Sequence, residues 1–240
     1  MQTTDLFRWV MTGGDRVIDT ESLTVLEKAR HDGQGGTAQF PVKQVGKTFS
    51  DVPVTQARTV TPYNWDQLYV SISGRNTSMR IASNSGISSN TRDYNVRVKV
   101  CDPSFHETVT TCTAYSAGTL KPTGLIQANA MDVRFAAMGY LLDDDIYRDG
   151  GVLRARMKFV GPRRPVLGPV GETGNASAEW DAHTGIYITN PDPGDAAATT
   201  GTITQSGVTQ YLNRFGRRDG YKNHDPVSEM YYEALRYYMN

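Results

Sequence analysis

Gly151-Val152-Leu153-Arg154-Ala155-Arg156-Met157-Lys158-Phe159-Val160 alternates from Leu153 to Phe159. Leu153, Ala155, Met157 and Phe159 fall on one side, and Arg154, Arg156 and Lys158 on the other. A period of two with one dry and one wet face predicts a strand. Upstream, Tyr94, Val96, Val98 and Val100 alternate with Asn95, Arg97 and Lys99, so Tyr94 to Val100 reads as a second strand. Gln67 to Ser71, with Leu68 and Val70 on one side, and the short run Ile186-Tyr187-Ile188 add two more.

Helical spacing surrounds these strands. Residues 5–12 predict a short helix with Asp5 as its candidate cap, Leu6, Trp9 and Val10 sharing a face and Gly13-Gly14 as its stop. Residues 19–30 read as a helix or turn, with Leu23, Leu26 and Glu27 at helical spacing. Met131, Phe135, Met138 and Leu142 predict a helix over 129–142. Ser206 to Phe215 predicts another. Asp225-Pro226 then opens a last helix striped with Val227, Met230, Tyr231, Ala234, Leu235 and Tyr238. His31 to Gly36 reads as a Gly-rich loop, residues 73–92 as a long exposed polar loop, and 161–202 as largely irregular. The expected fold is α+β: a mixed or antiparallel sheet, helices near both ends and long irregular loops, in a single module over 1–240.

Composition narrows the function. The 240 residues carry 25 basic and 25 acidic side chains, 38% apolar residues and 10% aromatics. That is too apolar for wholesale disorder. Zero net charge lacks the signature of a nucleic-acid binder, so no nucleic acid is expected as a partner. No apolar run is long enough to span a bilayer. The opening Met1-Gln2-Thr3-Thr4-Asp5 has neither a charged nor an apolar leader region, and the next segment already reads as structured. The expectation is a piece excised from a longer polypeptide. Cys101 and Cys112 are the two cysteines, and spacing alone leaves open two unrelated buried thiols or a bridge.

The motifs of chemistry fail one by one. Val45-Gly46-Lys47-Thr48 resembles the end of a phosphate-binding loop, but Pro41 stands where that motif requires glycine. Gly33-Gln34-Gly35-Gly36 lacks a dinucleotide fingerprint's third glycine and following helix. There is no nucleophile elbow. His31, His106, His183 and His224 are scattered without metal-site spacing, and His106-Glu107 is at most an isolated acid/base pair. Asp143, Asp144, Asp145 and Asp149 beside Gly150-Gly151 are the candidate ligands for calcium, the one cofactor the residues suggest; the alternative is a solvated helix end. Arg154, Arg156 and Lys158 form a candidate binding stripe for an acidic glycan, partner or headgroup, or else the wet face of an outer strand. Tyr232 and Tyr237 lie off the last helix's stripe and are candidates for touching a neighbouring domain.

Several strings together resemble the PilC/PilY family of type IV pilus tip-associated adhesins and assembly factors. They are Met131 to Leu141 (MDVRFAAMGYL) followed by Asp149 to Lys158, Val98 to Cys101 with Cys112 and Tyr115, and Lys121 to Gln127. Ala178-Glu179-Trp180-Asp181, Thr189 to Pro193, and above all Asp225 to Tyr237 (DPVSEMYYEALRY) complete the set. Trp9 to Arg16 and Val25 to Ala29 match more loosely, and residues 37–93 are the least recognisable.

The resemblance implies an exported parent at the periplasm, outer membrane or extracellular pilus tip, and hence a Cys101–Cys112 disulfide. It places the segment near a von Willebrand A-like region and before a C-terminal β-propeller. The metal signature of the former and the calcium loop of the latter are absent from this chain. Implied partners are minor pilins, the pilus-tip complex and other domains of the parent, and the implied processes are pilus biogenesis, adhesion and twitching motility. The expectation is a non-catalytic scaffold, with no catalytic residues and no cofactor. An adhesive surface for a host glycan or matrix protein is the alternative, ahead of a hydrolase using His106 and Glu107.

Overall fold

A computed structural model describes residues 2–33, 36–45, 58–59, 61–65, 67–104, 111–140, 151–166, 168, 170–198, 204–217 and 227–239. The chain divides into two compact units, Met1–Leu26 with Val98–Asn240, and the intervening Glu27–Arg97. In chain order the first opens with α1 (Thr3–Thr12) and the strands β1 (Arg16–Asp19) and β2 (Thr24–Glu27). The second holds α2 (Gly36–Gln39), β3 (Lys43–Gln44), β4 (Tyr69–Ser71), β5 (Ser78–Ala82) and β6 (Arg92–Asn95). The first resumes along β7 (Arg97–Val100), β8 (Cys112–Ala114), β9 (Leu120–Pro122), α3 (Leu125–Ala128) and β10 (Phe135–Tyr140). It continues through β11 (Gly151–Lys158), β12 (Arg163–Pro165), β13 (Glu172–Gly174), α4 (Pro193–Ala198), α5 (Val208–Arg214) and α6 (Val227–Met239). Helices and several small antiparallel sheets make this an α+β fold, as the sequence predicts.

α1 forms where expected, and the face that Leu6, Trp9 and Val10 share turns outward. Gln2, not Asp5, caps it: the Asp5 carboxylate accepts the Gln2 N–H at 2.7 Å. Gly13, at φ 83°, ends it in the left-handed conformation that glycine tolerates. The buried residues are Arg8 and Thr12. Arg8 donates to the carbonyls of Leu212 (3.1 Å), within α5, and Phe215 (2.5 Å), just beyond its end. Thr12 Oγ1 pairs with Arg8 O at 2.7 Å and Asn213 Oδ1 at 2.6 Å. These carbonyls and amides reward polar groups, so Leu6, Trp9 and Val10 turn outward instead. Gly124 admits the end of α1, because a Cβ there would lie 2.4 Å from Val10 O.

Residues 19–30, read as a helix or turn, contain β2 and close a hairpin with β1, in which Ile18 faces Val25 and Asp19 faces Thr24. Val17, Ile18, Thr24 and Val25 are β-branched and prefer extended backbone. The expected strand Tyr94 to Val100 breaks at Val96. β6 pairs with β5, while β7 joins β2 in a three-stranded sheet ordered β1-β2-β7. Tyr94 and Val98 are exposed, so the alternation does not mark one dry face.

The predicted loop 73–92 hides β5, whose Ile81 and Ala82 are buried. Its register sets Val70 against Ile81 and Tyr69 against Ala82. Leu68 and Ile81, with Val45, Tyr63, Trp65, Val70 and Met79, form the core of the Glu27–Arg97 unit.

The helix expected over 129–142 is also corrected. Only α3 precedes it, and Phe135–Tyr140 is β10, paired with β11. The spacing of Met131, Phe135 and Met138 suits a helix, but the long-range ladder to β11 decides the backbone. The register slips twice along this pair, leaving extra residues on β11. Within 161–202 lie the hairpin β12–β13 and α4, and the expected strand at Ile186 to Ile188 is a single bridge between Trp180 and Tyr187. The two predicted C-terminal helices are α5 and α6; the Asp225-Pro226 cap lies outside the described residues. The first unit's core gathers Ile126, Ala130, Ala137, Ala155, Val160, Trp180 and Val208.

Candidate functional site

The basic stripe on β11 meets acidic partners. Arg156 Nη2 reaches both oxygens of Asp192 at 3.1–3.2 Å, and its Nε pairs with Asp195. Lys158 Nζ lies 2.8 Å from Asp192 Oδ2. The turn Pro191-Asp192-Pro193 and the start of α4 place both acids: Asp195 N–H donates to Asp192 Oδ1, and Asp192 N–H to Ser206 Oγ. Burial alone would raise the Asp192 carboxyl, but Lys158, the Asp195 amide and Arg156 together bring it down to about 2. Arg154 lies apart and donates to Tyr140 O at 3.1 Å.

Tyr237 belongs to this face. Its hydroxyl accepts the Met157 N–H at 2.9 Å, and the Asp195 carboxylate accepts the neighbouring Arg156 N–H at 3.2 Å. Two amides that β11's irregular register frees are thereby satisfied. Tyr232 instead points outward and is exposed. The structure thus brings Arg156, Lys158 and Tyr237 together and leaves Arg154 and Tyr232 outside the group. Asp192 and Asp195, its acidic half, went unread in the sequence; a pair of acids in a Pro-Asp-Pro-Gly-Asp turn ahead of a helix was the available signal.

A second polar cluster is buried. Lys121 is fully enclosed, with Nζ 2.7 Å from Asp19 Oδ1, 2.5 Å from Thr20 O and 2.9 Å from Thr24 Oγ1. Arg16 donates to Asp19 Oδ2 (3.0 Å), Gly185 O (2.8 Å) and Pro122 O (2.6 Å), and its guanidinium lies 3.7 Å over the Tyr187 ring. The Tyr187 hydroxyl donates to Thr12 O and receives Gln127 Nε2, and burial pushes it above its ordinary range. Glu179, also enclosed, accepts the Val208 and Thr209 amides at 2.7 Å each, at the start of α5. Burial raises its carboxyl against the pull of those amides. Lys121, Arg16, Asp19, Tyr187 and Gln127 thus tie β1, β2, β9 and α3 together, while Glu179 separately anchors the start of α5.

Cys101 and Cys112 are joined, with Cα atoms 5.8 Å apart. The loop they close contains His106 and Glu107, which lie outside the described residues, as do Asp143, Asp144, Asp145, Asp149 and His224. Among the described residues no group of three or more His, Cys, Asp or Glu side chains is placed to hold a metal. His183 Nδ1 is bonded to Ser116 Oγ at 2.9 Å. Among the described residues no helix is long and apolar enough to cross a membrane.

Apolar surface collects elsewhere on the first unit. Leu6, Phe7, Trp9 and Val10 of α1 are 46–50% exposed. α6 buries no residue, and Tyr231, Tyr232 and Tyr238 are 61–71% exposed. Between the two helices a cavity of about 370 Å³ is lined by Phe7, Tyr140, Tyr211, Leu212, Phe215 and Met230, among others.

The resemblance read in the sequence is borne out. The chain is 40% identical, over 99% of its length, to a curated protein of Xylella fastidiosa described as a type IV pilus biogenesis factor, PilY1 homolog. The chain spans 21% of that relative. No protein-family model matches the chain, and no solved structure matches it.

Proposed function

We propose that the chain is a non-catalytic scaffold within a pilus biogenesis protein of the type IV system. It holds neighbouring parts of a longer polypeptide in place and presents surface to the pilus-tip complex, minor pilins included. One observation carries this reading: the similarity to a pilus biogenesis factor, at 40% identity, extends over 99% of the chain. The geometry agrees with it, since Lys121, Arg16, Glu179, Arg156 and Lys158 are engaged with groups of the fold itself. A disulfide suits the cell envelope or the pilus, where oxidising conditions preserve it. In-frame deletion of the segment from the gene of a piliated bacterium tests the reading. The expected result is loss of surface pili; normal piliation overturns it.

Direct adhesion is the second reading, and β6 favours it, being exposed along all four residues. The discriminating measurement is binding of the purified chain to glycan and matrix-protein arrays, beside binding to minor pilins. Retention on the arrays alone favours adhesion; retention by pilins alone favours the scaffold.

A further inference from the structure

α1 is amphipathic in the ordinary way but mounted in reverse. Its polar residues Arg8 and Thr12 are held by α5, while Leu6, Phe7, Trp9 and Val10 face out. A solvated helix normally turns its apolar stripe to the core. Reversal leaves four large apolar side chains on one surface, with α6 adding Tyr231, Leu235, Tyr238 and Met239. Exposed apolar surface gathered in this way marks an interaction site rather than ordinary scatter. The cavity between the helices supplies what such surfaces need at their centre, an apolar pocket rimmed by aromatics.

The chemistry selects the occupant. Among the described residues the outward side of α1 carries no cation, and Arg236 of α6 pairs with Glu233, so their faces show no basic fringe of the kind that anionic lipid or nucleic acid would require. What fits is another apolar protein surface. The curated relative points to its source: the matched region is 21% of that polypeptide, and a surface in the remainder of such a polypeptide would be tethered to this one at high effective concentration.

We propose that the outward faces of α1 and α6, with the cavity between them, seat an apolar surface carried elsewhere in the same, longer polypeptide. This deepens the scaffold reading and rests on it: the scaffold grips its neighbour here, with one large apolar side chain of that neighbour in the cavity.

Oxidative footprinting read by mass spectrometry tests the assignment at Trp9, Tyr231, Tyr238 and Met239. The 240-residue chain is compared with the full-length gene product that contains it. The expected result is strong labelling in the chain alone and loss of most labelling in the full-length product, at every protein concentration. Equal labelling in both overturns the proposal. So does protection of the chain alone that grows with concentration, which means a second copy, and so does protection that needs added pilins. Leu6→Glu and Tyr231→Glu give an independent reading, because both side chains are exposed in the chain alone. Their melting temperatures stay at the parent value in the chain and fall in the full-length product; unchanged melting in both overturns the assignment. If deletion abolishes piliation while the footprints match, the scaffold reading stands and this seat falls.

Discussion

Lys121 has no solvent to fall back on. Its ammonium is held by Asp19, Thr20 O and Thr24 Oγ1, and Asp19 in turn holds Arg16 and the Tyr187 amide. Removing one partner of a buried ion pair strands the other, which costs about 3–5 kcal/mol. Lys121→Ala is therefore expected to lose that much stability in urea unfolding, where an exposed lysine would lose almost none. His31 shows the same dependence on environment through its protonation. Its Nδ1 accepts the Gly33 and Gly74 N–H groups at 3.0 and 3.1 Å, its ring meets Phe40 edge-on, and Lys28 and Asp32 are the charges that act on it. Only the neutral ring can accept, and burial, then Lys28, lowers its pKa below the ordinary 6.5. The unfolded chain therefore takes up the proton first. Stability is complete above the unfolded value and declines as pH falls below about 6.5. Thermal melts between about pH 7.5 and 5 check this, and His31→Gln should flatten the decline.

At the level of elements, the disulfide spans the described ends of a loop that begins just after β7 and closes at β8. Cross-linking a loop of that size stabilises by roughly 2–3 kcal/mol. Cys101→Ser should lose that amount, and the parent should fall to the same midpoint in reductant. What the sequence revealed about elements follows from where each gets its stability. β11 is legible because Leu153 to Lys158 alternates within the strand itself, and α5 and α6 because their stripes are local. β10 was not, because Phe135-Ala136-Ala137-Met138 suits either backbone and only its partner β11 settles the matter. β5 is hard to read because its alternation is short, with only Met79 and Ile81 interleaved with Ser78 and Arg80 inside a polar stretch. α1 is legible as a helix but its orientation is not, since hydrophobic spacing reveals a face without revealing what lies opposite it. The carbonyls of Leu212 and Phe215 that draw Arg8 inward lie some two hundred positions away.

For the whole molecule, the Glu27–Arg97 unit leaves and returns on β2 and β7, neighbours in one sheet, and Lys28 N–H donates to Val96 O at 3.1 Å. A segment whose ends are already hydrogen-bonded is the easiest to exchange for a short turn. Replacing residues 29–95 with Asn-Gly should leave the remainder folded, with the disulfide formed and a cooperative melt; loss of cooperativity would refute the prediction. The candidate site was less legible at this scale than the fold, because Asp192 and Asp195 meet Arg156 and Lys158 only through long-range packing. The same packing shuts one route of assembly. With Asp195 and Tyr237 occupying the amides of Arg156 and Met157, a foreign β-segment finds no donor there to zip onto. Strand donation is blocked at those two positions, and a neighbour there meets side chains instead.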